Sequence, residues 1–114
     1  MTQGRRRLGA HGEARAAAWY EAEGYEVLAR NWRCVRGELD LVVRRGDTVA
    51  FCEVKTRTST AFGAPFEAVT VTKQRRIRGL AVEWLRESGV RAAELRFDVA
   101  SVTPAGVEVI EAAF

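Results

Sequence analysis

The sequence predicts an α/β (α+β) fold in which a mixed central sheet of four to five strands carries flanking helices in the order αβββαβ(β). Three observations lead there. Glu38 to Arg44 and Val49 to Thr56 are period-2 runs that meet at Gly46-Asp47, which suits a two-residue hairpin turn with Gly at its first central position. Two stretches with helical spacing, one on each side of this hairpin, both end at a glycine. From Glu94 onward the chain alternates again. At 114 residues it is one domain, residues 1–114, with a single core.

In chain order, residues 1–8 hold Arg5-Arg6-Arg7 and are expected to form a flexible basic arm. The first helix is expected from about Gly9 to Glu23, with Gly24 as its stop and Glu13, Ala16, Ala17 and Tyr20 as its inward stripe. Glu13 is the odd member. It reads either as a surface acid favoured by the helix dipole in the first turn or as an acid aimed at the hairpin. Tyr25 to Arg30 reads as a strand that Asn31 to Cys34 continue or interrupt. Residues 57–66, broken by Gly63 and Pro65, are a plain connection or a lid. The second helix is expected from an N-cap at Thr72 to Ser88, ending at Gly89. Ile77, Leu80, Ala81, Trp84 and Leu85 form its apolar stripe, with Gln74 at the edge facing the sheet. Glu94–Val102 and Val107–Ala112 then flank Pro104-Ala105-Gly106. Strands one to three should form an antiparallel meander, and the helical crossover should lay the Glu94 strand parallel to one of them.

Closing the hairpin at Gly46-Asp47 sets Val42 opposite Phe51, Asp40 opposite Glu53 and Glu38 opposite Lys55. Leu39, Leu41, Val43, Ala50, Cys52 and Val54 then share the core face, while Glu38, Asp40, Val42, Phe51, Glu53 and Lys55 share the other. Carboxylates directly opposed on neighbouring strands stand about 5 Å apart and destabilise the pair. Something positive belongs between them. A divalent cation of the Mg²⁺ or Mn²⁺ kind would suit Asp40 and Glu53, with Lys55 two residues on and on the same face as a catalytic partner. The alternative is a solvated cluster in which an acid pairs with Lys55 or a nearby Arg.

The net charge of +3 is modest, but its distribution is uneven. Arg33, Arg36, Arg57, Lys73, Arg75, Arg76 and Arg78 gather before, after and opposite the hairpin, whereas the tail from Glu94 is acidic. A phosphate-facing side that binds nucleic acid fits this asymmetry. Sixteen of the cations are Arg, and only Lys55 and Lys73 are Lys. Lys is the compact charge whose pKa can shift, so its presence at the carboxylate pair points to chemistry. Cys34 and Cys52 form no CxxC pair and have only His11 for company, which argues against a zinc site or a disulfide scaffold. No apolar run reaches the roughly 18 residues of a membrane span, so a cytoplasmic protein with no membrane partner is expected.

Asp40 followed on the next strand by Glu53-Val54-Lys55 resembles the PD-(D/E)XK nuclease superfamily. The larger pattern takes in Glu13, Asn31 and Arg33, then Gly37-Glu38-Leu39-Asp40-Leu41, Phe51-Cys52-Glu53-Val54-Lys55-Thr56-Arg57, Gly63 and Lys73-Gln74. It is similar to the YraN-like family of small bacterial putative endonucleases related to Holliday-junction resolvases. The resemblance implies a restriction-endonuclease-like core and metal-dependent hydrolysis of DNA phosphodiesters, on branched or structured DNA. Asp40 and Glu53 would be metal ligands, the Val54 backbone carbonyl a further one, and Glu13 an outer ligand or one acting through water. Lys55 would be catalytic, with Gln74 and Glu38 in support. Leu39 stands where many superfamily members have Pro, and Cys52 where an aliphatic residue is more usual. Resolving a junction would also require a homodimer with sites on opposed strands. A rival reading is a non-catalytic nucleic-acid-binding or adaptor module that uses the Lys73–Arg78 helix start and the Arg5–Arg7 arm.

Overall fold

The computed structural model describes residues 2–57 and 69–114, with side chains from His11 onward. Its elements are α1 (Thr2–Ala22), β1 (Glu26–Cys34), β2 (Gly37–Arg45), β3 (Thr48–Thr56), α2 (Val71–Ser88), β4 (Glu94–Thr103) and β5 (Gly106–Ile110). They form one five-stranded mixed sheet in the order β1-β2-β3-β4-β5. Only β3 and β4 run parallel, because only they are joined through a helix; the other neighbours are antiparallel.

Helix α1 starts at Thr2 and so takes in most of the segment expected as an arm. It ends in a Schellman arrangement, in which Tyr25 N–H reaches the Tyr20 carbonyl at 3.0 Å and Gly24 N–H the Glu21 carbonyl at 3.1 Å. Gly24 has φ 89, which a side chain would strain. Helix α2 is capped by Thr70, not Thr72: the Thr70 hydroxyl accepts the Lys73 N–H at 3.2 Å, and Thr72 lies inside the helix. Gly89 closes it at φ 74, as expected. Of the 57–66 loop, every residue after Arg57 lies outside the described residues.

The sheet is buried on both faces. Toward α1, Ala16, Ala17 and Tyr20 pack on Leu41, Val43, Ala50, Cys52, Ala100 and Val102. Toward α2, Ile77, Leu80, Ala81 and Trp84 pack on Leu39, Val42, Phe51, Phe97 and Val99. The expectation of a single core face on the hairpin is therefore corrected: Val42 and Phe51, grouped with the acids, are as fully buried as Leu41 and Val43. A second helix layer covers them.

Gly12 sets how closely α1 approaches the sheet. A Cβ there would lie 3.1 Å from Thr56 Cβ and 3.2 Å from its Cγ2. Alanine normally favours a helix interior over glycine, yet Gly12→Ala is expected to destabilise the protein by about 1–3 kcal/mol through overpacking. Urea titration with the slope unchanged and the midpoint lowered checks this.

Candidate functional site

The β2–β3 ladder holds the expected register from Arg45↔Thr48 through Val42↔Phe51 to Leu41↔Cys52, where the pairing ends. Asp40 and Glu53 are thus not paired across the ladder, nor are Glu38 and Lys55. The Val54 N–H donates instead to Asp40 Oδ2 at 2.9 Å, so a side chain takes the place of a main-chain acceptor. The strands part at the acids. This opens a cleft of about 190 Å³ lined by Glu38, Asp40, Glu53, Lys73, Arg76, Ile77 and Leu80.

Glu13 reaches the same place from α1. It is only 8% exposed, midway along a helix that begins at Thr2, which removes the reading of a surface acid in a first turn. Carboxylate oxygens of Glu13, Glu38 and Asp40 all lie within 4.8 Å of one another. Asn31, at φ 52 in β1, turns its carboxamide to Glu13, and with the amide nitrogen assigned to the side of the acid it donates to both oxygens. Glu53 is held by cations: Lys73 Nζ stands 2.8 Å and Lys55 Nζ 3.6 Å from its Oε1. The only two lysines of the chain thus meet at one carboxylate.

This crowding perturbs the groups in a consistent way. Burial, then the neighbouring Glu53 carboxylate, push Asp40 up to about 8, against the opposing Val54 N–H. Burial and the Glu38 carboxylate push Glu13 up to about 7. Lys55 is lowered by burial and by its neighbour Lys73. Burial opposes the charge on Lys73, but its bond to Glu53 prevails and raises it. Desolvation and mutual repulsion thus keep two of these acids protonated near neutrality. The donors are carboxylate oxygens, with no His or Cys among them, which suits a hard cation such as Mg²⁺ or Mn²⁺.

The structure brings together Asp40, Glu53, Lys55, Glu13 and Glu38. Val54 joins through its N–H. Gln74 faces inward but donates to the Val69 carbonyl at 3.1 Å, securing the start of its own helix. Among the expected phosphate contacts, Lys73 and Arg76 line the cleft, and Arg33 pairs with Glu38 at 2.5 Å. Arg36 and Arg75 are exposed, and Arg57 is half-buried at the end of β3. Arg78 stacks its guanidinium over Phe97 at 4.5 Å and Phe114 at 5.6 Å. One relationship escaped sequence reasoning: the contact of Lys73 with Glu53. The scarcity of lysine, already used for Lys55, was a signal for Lys73 as well.

These features define an α+β domain with a carboxylate–lysine cleft where its central hairpin parts. The chain belongs to the uncharacterised protein family UPF0102, the YraN-like family, whose model matches residues 12–102. It is 56% identical to a UPF0102 protein of Beutenbergia cavernae, over 91% of this chain and 90% of the relative. It is 54% identical to one of Nocardia farcinica, over 91% and 84%, and 46% identical to one of Moorella thermoacetica over the whole of both chains. The matched span contains every acid and both lysines of the cleft. Among the described residues no helix is long and apolar enough to cross a membrane.

Proposed function

We propose that the protein is a divalent-cation-dependent endonuclease that hydrolyses DNA phosphodiester bonds, with branched or structured DNA as its substrate. The observation that carries this reading is the convergence of Glu38, Asp40, Glu53 and Lys73 in one cleft, with Glu13 beside Glu38 and Asp40 and with Lys55 beside Glu53. Asp40 and Glu53, with the Val54 carbonyl, would hold Mg²⁺ or Mn²⁺, with Glu13 and Glu38 beside them. The cation supplies Lewis acidity toward a phosphoryl oxygen and the attacking water. The Val54 N–H fixes the orientation of Asp40. Lys55 places a positive charge where negative charge grows at phosphorus, in a half-buried setting that strengthens the attraction. Lys73 and Arg76, on the cleft wall, and Arg75, exposed beside them, draw in the phosphate backbone. Severing both strands of a junction would take two copies of the chain.

The test is a cleavage panel of supercoiled, single-stranded and four-way-junction DNA with Mg²⁺ or Mn²⁺. Wild type is expected to cut only with the cation, and Asp40→Ala and Glu53→Ala to be slower by at least about a hundredfold. Equal cutting by Glu53→Ala would defeat the assignment. An inert wild type that still binds DNA in a salt-dependent way would favour the non-catalytic module.

A further inference from the structure

Lys73 sits at the start of α2, in a basic run that continues through Arg75, Arg76 and Arg78. Its ammonium turns inward and lies closer to Glu53 than Lys55 does, at 2.8 against 3.6 Å. Its side chain is 32% exposed and that of Glu53 only 11%, so the acid is shielded from water while the lysine keeps a path to it. Glu53 is absent from the tight group of Glu13, Glu38 and Asp40. The acid that a cation would need beside Asp40 is therefore already engaged.

We infer that Lys73 is a resident counter-ion that competes with the divalent cation for Glu53 and is released to a phosphate when cation and DNA arrive together. The inference rests on the reading that Asp40 and Glu53 hold a cation. Charge accounts for the exchange: Lys55 and Lys73 already share Glu53 while the cation is absent, and a divalent ion entering beside them makes three positive groups crowd one acid. Of these, Lys73 is on the cleft wall and free to turn outward. The ammonium, on a flexible four-carbon stem, then moves into the cleft toward Arg76, where a phosphodiester restores the balance. Cation and DNA binding become coupled through one side chain.

Titration calorimetry with Mn²⁺ alone, on wild type, Lys73→Met, Lys73→Arg and Arg76→Met, tests the first half. Arg76 lines the same cleft with the same charge, and no ion pair joins it to Glu53. It therefore controls for charge removal at a distance. Lys73→Met is expected to bind Mn²⁺ about tenfold more tightly, and Arg76→Met less than about threefold, a difference that direct competition requires. Lys73→Arg, which keeps the charge, should stay within about threefold of wild type. Unchanged or weaker Mn²⁺ binding by Lys73→Met, or equal tightening by Arg76→Met, overturns the inference and leaves the endonuclease reading intact. If neither wild type nor Lys73→Met binds Mn²⁺, both fall. For the second half, four-way-junction binding by Lys73→Met should weaken about fivefold with Ca²⁺ present and less than about twofold without it. Equal weakening in both conditions would mean that the ammonium serves the phosphate without the cation, and no weakening in either that it never leaves Glu53; each result overturns the coupling.

Discussion

Asp98→Ala is expected to lower the thermal unfolding midpoint by roughly 15 °C, the loss that follows from breaking a buried charged network at about 3–5 kcal/mol. Asp98 lies on β4 with no exposed surface. Its carboxylate accepts the Tyr20 hydroxyl at 2.6 Å, Arg96 Nε and Nη2 both at 2.9 Å, and the Ala112 N–H at 3.0 Å. Arg96 also donates to the Tyr25 hydroxyl at 2.8 Å. One carboxylate thereby ties the end of α1, the start of β1, strand β4 and the chain's C-terminal turn. Alanine would leave a guanidinium with 14% side-chain exposure and a buried phenol without their acceptor. Tyr20→Phe removes one bond and should cost only about 1–2 kcal/mol. Calorimetric melts of both variants check this, and a midpoint within 5 °C of wild type for Asp98→Ala would mean that the network is dispensable. Tyr20 and Glu13 share the inward face of α1, so loosening this anchor also loosens the acid that α1 brings to the cleft.

That network was not legible in the sequence, because Tyr20 and Asp98 are 78 residues apart and the helical stripe that turns Tyr20 inward does not say what its hydroxyl meets. The fold was legible where local signals agreed. Gly46-Asp47 fixed the hairpin register, Gly24 and Gly89 ended the helices, and the α2 stripe named four residues that are buried. The α2 cap was missed by two residues because Thr70 and Thr72 carry the same signal, and only the extended backbone of Thr70 decides between them. At the site, period-2 counting assumed a ladder that continues to the end of β2. Beyond Leu41 and Cys52 the Asp40 side chain captures a main-chain N–H, and Leu39 joins the cluster under α2 rather than the one under α1. Alternation cannot register a side chain that replaces a backbone acceptor. The acids nevertheless meet in one cleft, because the parting of the strands and the approach of α1 and α2 enclose what strict pairing would have set on a flat face.

Asp40→Asn should have two opposite effects, and together they separate the cost of this acid to the fold from its use. Asp40 holds its proton up to about pH 8 when folded and to 3.8 ordinarily. The folded state therefore binds more protons than the unfolded one across that interval. Stability is full below about pH 4 and falls as the pH rises through 8. Glu13, raised to about 7, acts in the same direction. Lys55, lowered, acts in the other toward the alkaline range, so the comparison is best made between pH 5 and 8.5. In EDTA the wild-type midpoint should decline over this window. Asn cannot ionise, and its carbonyl oxygen can still accept the Val54 N–H, so the variant should decline less and melt about 5–10 °C above wild type at pH 8.5. Adding Mn²⁺ is expected to reverse the order: wild type should gain stability most at high pH, where its acids have shed their protons, and Asp40→Asn should lose most of that gain. A variant less stable than wild type in EDTA at pH 8.5 would show that Asp40 supports the fold as an ion, and one with the full Mn²⁺ response would remove Asp40 from the ligand set. An acid that weakens the fold by ionising, and recovers that loss only when a cation binds, is the behaviour expected of a ligand.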